Sequence, residues 1–469
     1  MQSATSLTAH PWFFCGIGGS GMLPLALILR GMGASVAGSD RSFDQGRTPE
    51  KFAWLQSLGF RLHPQDGSGI TASEQTLVAS AAIEDTVPEV VRARDLGCPR
   101  MSRAQLLAAL FNAAPTAIGV AGTSGKSTVT GMIGWIMAEA GRDPTIMNGA
   151  VMKNFATPDA PFASARVGAG DLFVSEVDES DGSIAHYNPT IAVLNNISLD
   201  HKSLEELHAL FADFTAKARV AVINADDAEC APFMALEQAV CFGFRSNLAD
   251  KDFRASAFED LPLGSRFTLD HAGAAHPVML AVPGRHNASN ALAAIAAGSA
   301  AGVPVAQAVA ALASFAGLAR RFDIVGTSPS GITVIDDFGH NPDKVSATLA
   351  TVKAHPGRVI AFFQPHGYGP LRQMGAELAQ VLASRLGAED RVILCDPVYF
   401  GGTVDRSVGS ERIAALVGEA GGNAEHIPDR ADVADRIAAM ARAGDRILVM
   451  GARDDTLTTF ARDLLARLP

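Results

Sequence analysis

The sequence has little cysteine, and the cysteine it has follows no pattern. Its five cysteines lie far apart along 469 residues, and no two of them form a C-x-x-C pair. This spacing indicates neither a structural zinc site nor a small fold held together by disulfides. A reducing compartment fits such a chain best, so we expect a cytoplasmic protein.

The sequence also lacks the segments that would carry it into a membrane. It begins without the basic stretch and apolar core of a secretory signal, and it contains no apolar run long enough to span a bilayer. Basic residues number 38 against 49 acidic ones, for a formal net charge of −11. Because no basic cluster is available to neutralise phosphodiesters, we expect neither a nucleic-acid nor a membrane partner. The sequence predicts no particular oligomeric state.

Apolar residues, in contrast, make up 48% of the chain, which is too long for a single core. Short β-prone runs alternate with helical segments in three series, which start near "WFFCGIGGSGM", "APTAIGVAGTSGKS" and "ITVIDDFGHNP". Such alternation predicts parallel sheets covered by helices. We therefore predict an α/β protein of three domains, at residues 1–113, 114–321 and 322–469. The first and third are expected to be Rossmann-like, and the central one to be of the P-loop ATPase type.

A first glycine-rich turn lies at "GIGGSG", where Gly16, Gly18 and Gly21 match G-x-G-x-x-G after a predicted strand. Asp40 ends the next strand, at the acidic position of a dinucleotide-binding fingerprint. The motif is weakly specific, because any diphosphate can dock on the helix N-terminus that follows such a turn. The turn alone leaves open NAD, another nucleotide diphosphate, or a purely structural role.

A second turn, "GVAGTSGKST", is more informative. In such a loop Lys126 supplies a positive charge to the phosphates, Ser127 a hydroxyl for Mg²⁺, and Gly122 to Gly125 exposed backbone N–H groups. The strict P-loop spacing would need glycine at Val120, whereas the glycines here fall at Gly119 and Gly122. This variant resembles the loop of the Mur ligase family, the ATP-dependent amide ligases of peptidoglycan synthesis.

The resemblance extends over nearly the whole chain. The matching motifs are, in order, "GIGGSGM", "GSD", "VASAAI", "GTSGKST", "EVDESD", "GRHNASNALAAIA", "RRFD", "DDFGHNPD" and "FQPHGY". The N-terminal motifs look most like the subgroup that joins L-alanine to UDP-N-acetylmuramate, in which this domain holds a UDP-sugar. The resemblance therefore implies an ADP-forming carboxylate–amine ligase that works through an acyl phosphate, with a UDP-sugar carboxylate and an amino acid as partners.

The resemblance also implies the sites. It places ATP on Gly122, Thr123, Ser124, Gly125, Lys126, Ser127, Thr128, Asn287, Asn290, Arg321 and Asp337. It places Mg²⁺, or Mn²⁺, on Ser127, Glu176 and His201, a set rich in oxygen with one imidazole. It places the UDP-sugar on Gly16, Gly18, Gly19, Ser20, Gly21, Met22, Ser39, Asp40 and Ser80, with His186 beside the sugar acid. Lys126, His201, His186 and Lys217 are the implied catalytic residues, and the other acids of "EVDESD", Asp178, Glu179 and Asp181, are expected to be ordinary loop residues.

The acceptor region departs from the family pattern. Alanine-adding members carry "FQPHRY" and a second arginine soon after it, whereas this chain has Gly367 and Pro370 in their place. A desolvated acceptor carboxylate needs a cation, and Arg372 is the candidate, with His340 and His366 lining the acceptor pocket. Lys217 falls where members that add later amino acids carry a carbamoylated lysine, although a solvated helix lysine explains it equally well.

Three alternatives stay open on the sequence. In the first, the chain is a ligase with a different acceptor, which is another amino acid or a recycled peptide. In the second, it is a family member that binds nucleotide without catalysis. The third alternative, an NAD(P)-dependent oxidoreductase, rests on "GIGGSG" and Asp40 alone and leaves Lys126 and Glu176 without a role.

Overall fold

The computed structural model describes residues 7–80, 83–199, 202–398, 405–452, 454 and 456–469. The chain divides into two compact units. The first comprises Met1–Glu259, Gly264–Ala281 and Arg285–Gly317, and the second Asp260–Leu263, Val282–Gly284 and Leu318–Pro469. All five cysteines are free thiols.

The first unit begins with a five-stranded parallel sheet. Its strands are β1 (Trp12–Cys15), β2 (Val36–Ser39), β3 (Arg61–His63), β4 (Thr76–Ala79) and β5 (Arg100–Ser102). The helices are α1 (Leu23–Gly31), α2 (Arg41–Asp44), α3 (Pro49–Ser57), α4 (Pro88–Leu96) and α5 (Arg103–Asn112). The strand order β3-β2-β1-β4-β5 is that of a Rossmann-like half.

Strand β1 is apolar at every position because both of its faces are covered. Phe13 and Cys15 belong to a core that includes α4, whereas Trp12 and Phe14 belong to the core that includes α1 and α5. Continuous apolar strands are typical of parallel sheets with helices on both sides. The carboxyl ends of β1 and β2 therefore come together at one edge, where the first glycine turn lies.

A ten-stranded sheet follows in the same unit. Its strands are β6 (Thr116–Ala121), β7 (Thr145–Met147), β8 (Ala165–Arg166), β9 (Leu172–Glu176), β10 (Ile191–Leu194), β11 (Val220–Asn224), β12 (Ala239–Gly243), β13 (Phe253–Leu261), β14 (Gly264–His271) and β15 (Ala274–Leu280). The helices are α6 (Lys126–Glu139), α7 (Leu204–Ala216), α8 (Arg285–Ala300) and α9 (Val305–Leu312), and 3₁₀ turns lie at Ser183–His186 and Ala231–Ala235.

The order of this sheet is β15-β14-β13-β12-β11-β10-β6-β9-β7-β8. Strands β10, β6 and β9 are adjacent and parallel, so the loops that follow them meet at one edge. Those three loops carry the second glycine turn, the "EVDESD" acids and the paired asparagines after β10. The sheet ends in the antiparallel pair β14 and β15.

The second unit is built on a six-stranded sheet. Its strands are β16 (Asp323–Thr327), β17 (Thr333–Asp337), β18 (Val359–Gln364), β19 (Arg391–Leu394), β20 (Ala424–His426) and β21 (Arg446–Gly451). The helices are α10 (Pro342–Lys353), α11 (Tyr368–Arg385), α12 (Ser410–Glu419), α13 (Arg430–Met440) and α14 (Thr456–Arg467). The order is β16-β17-β21-β18-β19-β20, with β16 antiparallel and the others parallel. The three sheets confirm the predicted α/β fold class.

Candidate active site

The second glycine turn connects β6 to α6. The backbone conformation at each of its ends favours glycine. Gly122 has φ 126°, and a Cβ on it would lie 2.8 Å from the Asn196 carbonyl oxygen. Gly125 has φ 83° and is the N-cap of α6, where a Cβ would overlap the side chains of Asn195 and Asn290. Since Gly125 has no side chain to cap the helix, an acceptor for the first N–H groups of α6 must come from elsewhere. The positive end of a helix dipole favours an anion there.

Two asparagines at the end of β10 hold this turn in place. The Asn196 side chain accepts from Ser124 N–H at 2.8 Å and donates to the Ser124 carbonyl at 2.9 Å. Thr123 N–H donates to the Asn196 carbonyl at 3.1 Å. Two of the N–H groups that the sequence suggested were exposed, those of Thr123 and Ser124, are therefore occupied within the protein.

Asn195 ties the same turn to α8. Its Nδ2 donates to the Ser124 carbonyl at 2.9 Å and to Asn290 Oδ1 at 3.1 Å. Asn290 in turn donates to Asn287 Oδ1 at 3.4 Å, and both residues are buried. The structure thus brings Asn287 and Asn290 to the turn. Asn195 was not among the predicted residues, although its place at the end of a parallel strand was a usable signal.

Lys126 is held by an acid that sequence reasoning set aside. Its Nζ donates to the Gly122 carbonyl at 2.6 Å and to the two carboxylate oxygens of Glu179 at 2.9 and 3.2 Å. The Glu179 side chain is only 8% exposed. The expectation that Glu179 is an ordinary loop acid is therefore wrong, because its buried carboxylate forms an ion pair with Lys126.

Ser127 and Glu176 form a second contact beside Lys126. Ser127 Oγ donates to Glu176 Oε2 at 2.8 Å, and Asn148 Nδ2 donates to the Ser127 carbonyl at 2.9 Å. A hydroxyl and a carboxylate so close form two adjacent oxygen ligands, the kind that Mg²⁺ prefers while it keeps several waters. Within the described residues no cluster of three or more His, Cys, Asp or Glu side chains is placed to hold a metal. The third predicted metal ligand, His201, lies outside the described residues.

The first glycine turn is organised by Asp40. Gly18 N–H donates to Asp40 Oδ2 at 2.8 Å, and Ser42 N–H donates to Asp40 Oδ1 at 2.8 Å. Gly16 has φ 80°, and its N–H donates to the Ser39 carbonyl at 2.8 Å. Ser39 and Asp40 are buried, and both carboxylate oxygens of Asp40, a predicted UDP-sugar residue, accept from backbone N–H groups.

The remaining predicted residues of this part of the chain are more peripheral. Gly19 accepts from Met22 N–H and Leu23 N–H as the turn enters α1, and Ser80 is half-buried at the end of β4. His186 is exposed in a 3₁₀ turn. Lys217 caps the C-terminal end of α7, where its Nζ contacts Asp213 at 2.5 Å and the Ala185 carbonyl at 2.9 Å.

Two predicted ATP-binding residues lie in the second unit: Arg321 precedes β16, and Asp337 ends β17. The guanidinium of Arg321 lies 4.7 Å from the centre of the Phe338 ring. Asp337 accepts from Phe322 N–H, Gly339 N–H and the Thr348 hydroxyl, at 2.8, 2.8 and 2.9 Å. Asp337 thus accepts three hydrogen bonds from its own unit.

The predicted acceptor residues lie in part around one cavity of the second unit. His340 and His366 have ring centres 5.1 Å apart and line it together with apolar residues of β18 and α11, among them Phe363 and Leu378. Burial lowers the pKa of His340 to about 4, so its imidazole is neutral near pH 7. Arg372 does not line this cavity and instead pairs with the exposed Asp405 at 2.9 Å.

Comparison with known proteins places the chain in a family. Three Mur ligase domains match it: the family's catalytic domain at residues 13–114, the middle domain at 120–298 and the glutamate ligase domain at 320–453. The UDP-N-acetylmuramate–L-alanine ligase of Streptomyces coelicolor is 35% identical over 463 residues, covering 94% of this chain and 95% of that protein. The chain belongs to the Mur ligase family. As a Mur ligase it is an ATP-dependent, ADP-forming enzyme, which rules out the oxidoreductase alternative.

Solved Mur ligase structures have the same fold. The UDP-N-acetylmuramate–alanine ligase of Thermotoga maritima superimposes with a TM-score of 0.81 at 25% identity, covering 98% of this chain and 99% of that one. A murein peptide ligase of Psychrobacter arcticus superimposes with a TM-score of 0.70 at 24% identity, covering 98% of each chain. Among the described residues, no helix is both long and apolar enough to cross a bilayer.

Proposed function

We propose that this Mur ligase joins the carboxylate of UDP-N-acetylmuramate to the amine of an amino acid in the synthesis of peptidoglycan precursors. ATP is consumed to form an acyl phosphate, which the amine attacks with release of phosphate. The observation that carries the proposal is the grouping of Lys126, Ser127 and Glu176 at the N-terminus of α6. Because both substrates of the first step are nucleotides, we place the reaction in the cytoplasm.

The residues of the second glycine turn suit phosphoryl transfer. Transfer of the γ-phosphoryl group to a carboxylate brings anionic oxygens together, and the rate depends on fixed positive charge at that point. Lys126 supplies such a charge at the end of a helix whose dipole adds to it. Asn195 and Asn196 keep the turn from moving, so little reorganisation is needed when the phosphates arrive.

Ser127 and Glu176 would hold a magnesium ion, with His201 as the third predicted ligand. The ion, when bound, neutralises charge that develops on the transferring group. Gly149 leaves room for this ligand pair, because a Cβ on it would overlap Glu176 Oε1. Lys217 and His186 remain predicted contributors to the same reaction.

The first glycine turn would take the diphosphate of the sugar nucleotide. Its backbone leads into α1, which has Pro24 in its first turn and is therefore set to start at a fixed point. Asp40 fixes the shape of the turn by accepting from Gly18 and Ser42. Ser39 ends β2 and Ser80 follows β4, the two strands on either side of β1.

The proposal is tested by the dependence of phosphate release on substrates. Purified protein with ATP and Mg²⁺ is expected to release phosphate only when UDP-N-acetylmuramate and an amino acid are both present. Phosphate release that does not depend on both substrates would contradict the proposed ligase activity. Mass spectrometry of the product identifies the bond that has formed.

A second candidate concerns the acceptor. Arg372 is engaged with Asp405, and Gly367 stands where alanine-adding relatives have an arginine, so the cation that would hold a small acceptor's carboxylate is displaced. This observation favours an acceptor that is held by other contacts, either another amino acid or a peptide. A panel of labelled amino acids and muropeptides separates the candidates, and incorporation of alanine alone would remove the second one.

A further inference from the structure

The loop that follows β9, residues 177–182, touches a cation of each glycine turn. Glu179 binds Lys126 of the second turn through both of its oxygens, at 2.9 and 3.2 Å. Asp178, the preceding residue, lies 3.7 Å from the guanidinium of Arg103. Two neighbouring carboxylates thus face two different sites, and we call this segment the acidic loop.

The side chain of Arg103 lies beside the first glycine turn. Arg103 is the first residue of α5, behind a capping box formed by Ser102 and Gln105. A Cβ on Gly21 would lie 3.0 Å from Arg103 Cδ and 3.4 Å from its Nη1, so the guanidinium group passes directly beside the turn. A guanidinium there matches the geometry of a diphosphate, which it can bind through two N–H groups.

Glu179 and Asp178 each pair with a cation that would otherwise bind a phosphate. The Lys126 side chain is 18% exposed and that of Glu179 is 8% exposed, so screening by water is weak and a phosphate cannot share the lysine with the carboxylate without strong repulsion. The Asp178 carboxylate, 3.7 Å from the Arg103 guanidinium, lies where it would repel a diphosphate in the same way.

The acidic loop is short enough to move as one piece. Ser180 N–H donates to Asp178 Oδ1 at 2.9 Å, and Gly182 N–H donates to the Glu179 carbonyl at 3.1 Å. These bonds close a tight turn around the two acids. Displacement of Asp178 from Arg103 therefore also displaces Glu179.

We propose that the acidic loop couples the two sites: a diphosphate that binds Arg103 displaces Asp178, the loop moves, and Glu179 releases Lys126 for the phosphates of ATP. Glu179 is then a positioning residue for Lys126, and Arg103 is a binding residue for the sugar nucleotide. The coupling rests on the proposed function, since it needs both nucleotides to bind. It is reciprocal, so ATP also favours the sugar nucleotide.

The test is a calorimetric titration of Mg·ADP into the whole protein, with and without saturating UDP-N-acetylmuramate. In the wild type, the sugar nucleotide is expected to lower the Kd of ADP by about fivefold or more, the usual range of coupling between sites. We call the Kd of ADP without the sugar nucleotide divided by the Kd with it the coupling ratio. Without the sugar nucleotide, Glu179→Gln is expected to bind ADP more tightly than the wild type does. Its coupling ratio is expected to be near one. Asp178→Asn is expected to lose the ratio while its affinity for ADP alone stays close to that of the wild type.

Asp181→Asn is the matched control. Asp181 lies in the same loop and accepts from Ser183 N–H at 2.9 Å, so its replacement removes one negative charge and leaves the contacts of Glu179 and Asp178 in place. It is expected to keep the wild-type ratio. A wild-type ratio of one, weaker ADP binding by Glu179→Gln, or a ratio unchanged in both variants would overturn the coupling. If the wild type bound neither nucleotide, the proposed function itself would fail, which is a different result.

Discussion

Gly149 is a small residue on which the proposed metal site depends. It lies so close to Glu176 that a side chain there would overlap the Oε1 atom. Glu176 must then turn away, and its contact of 2.8 Å with Ser127 Oγ would open. The identity of this residue thus bears on chemistry although it carries no functional group.

For Gly149→Ala we expect the fold to persist and the Mg²⁺ concentration for half-maximal ligation to rise roughly 10- to 100-fold, as for other changes next to metal ligands. The measurement is the rate of phosphate release against Mg²⁺ concentration at saturating ATP. Gly418→Ala is the control, because a Cβ at that glycine meets nothing within 4 Å. An unchanged magnesium requirement would show that Glu176 is no ligand.

Lys126 carries the largest share of the proposed reaction. Lys126→Ala is expected to lower turnover by about 10²- to 10³-fold or more, the usual loss when one stabilising charge or donor is removed from a transition state. Binding of UDP-N-acetylmuramate to the first turn should persist, and calorimetry measures it separately. Turnover close to that of the wild type would instead mean that Lys126 only pairs with Glu179.

The strand-end asparagines show how one connection shapes the nucleotide site. Strands β6 and β10 are adjacent and parallel, so the residues after β10 lie beside the glycine turn after β6. Asn196 uses that proximity to bind the backbone of Ser124 on both its N–H and its carbonyl. The turn is held in one shape by the neighbouring loop rather than by its own sequence.

Asn196→Ala is expected to raise the KM for ATP by up to about thirtyfold, because two hydrogen bonds worth roughly 1 kcal/mol each no longer hold the turn. The matched control is Asn154→Ala. Asn154 also binds backbone through both ends of its amide, donating to the Ser314 carbonyl at 2.9 Å and accepting from Ala316 N–H at 2.7 Å, at a place remote in sequence from the turn. Equal effects of the two variants on the KM would mean that Asn196 contributes only to stability.

Some elements were not predicted although the chain signals them. Strands β13 to β15 form the far edge of the ten-stranded sheet, and residues 253–280 were assigned no element from sequence. In β14 the buried Phe267 and Leu269 alternate with Arg266 and Thr268, a period of two that is typical of a half-buried strand.

The second unit contains an acid whose burial makes stability depend on pH. Asp336 lies in β17, 3.6 Å from Arg320 Nε and 3.0 Å from the Thr458 hydroxyl. Burial raises its pKa from 3.8 to about 6, although Arg320 and Thr458 act in the opposite direction. Between those two pH values the folded protein binds more protons at this site than the unfolded chain does. Its contribution to the free energy of unfolding therefore falls as pH rises through that window.

Asp336→Asn removes this titration while keeping the shape of the side chain. The free energy of unfolding of the wild type minus that of the variant is expected to fall by about 2 to 3 kcal/mol from pH 4 to pH 7, and to stay level above that. Denaturant unfolding at several pH values measures the difference. A difference that does not change with pH would contradict the burial argument.

The sequence by itself determined the α/β class, the two glycine turns and the motifs that place the chain among the Mur ligases. These depend on local chemistry: glycine where φ is positive, a lysine at a helix start, and apolar runs in strands covered on both faces. The three-domain boundaries stay predictions, as do the roles of Arg321, Asp337, Lys217 and His201. Only the tertiary structure decided which partners the charged and amide groups have.

Glu179 illustrates the reason. Nothing near it in sequence distinguishes it from Asp181, yet one carboxylate is buried against Lys126 and the other caps a 3₁₀ turn. Glu179 reaches Lys126 because β9 and β6 are neighbours in the sheet, which brings residues more than fifty positions apart within hydrogen-bonding distance. Contacts of this kind depend on strand order, and strand order is a property of the whole fold rather than of any segment.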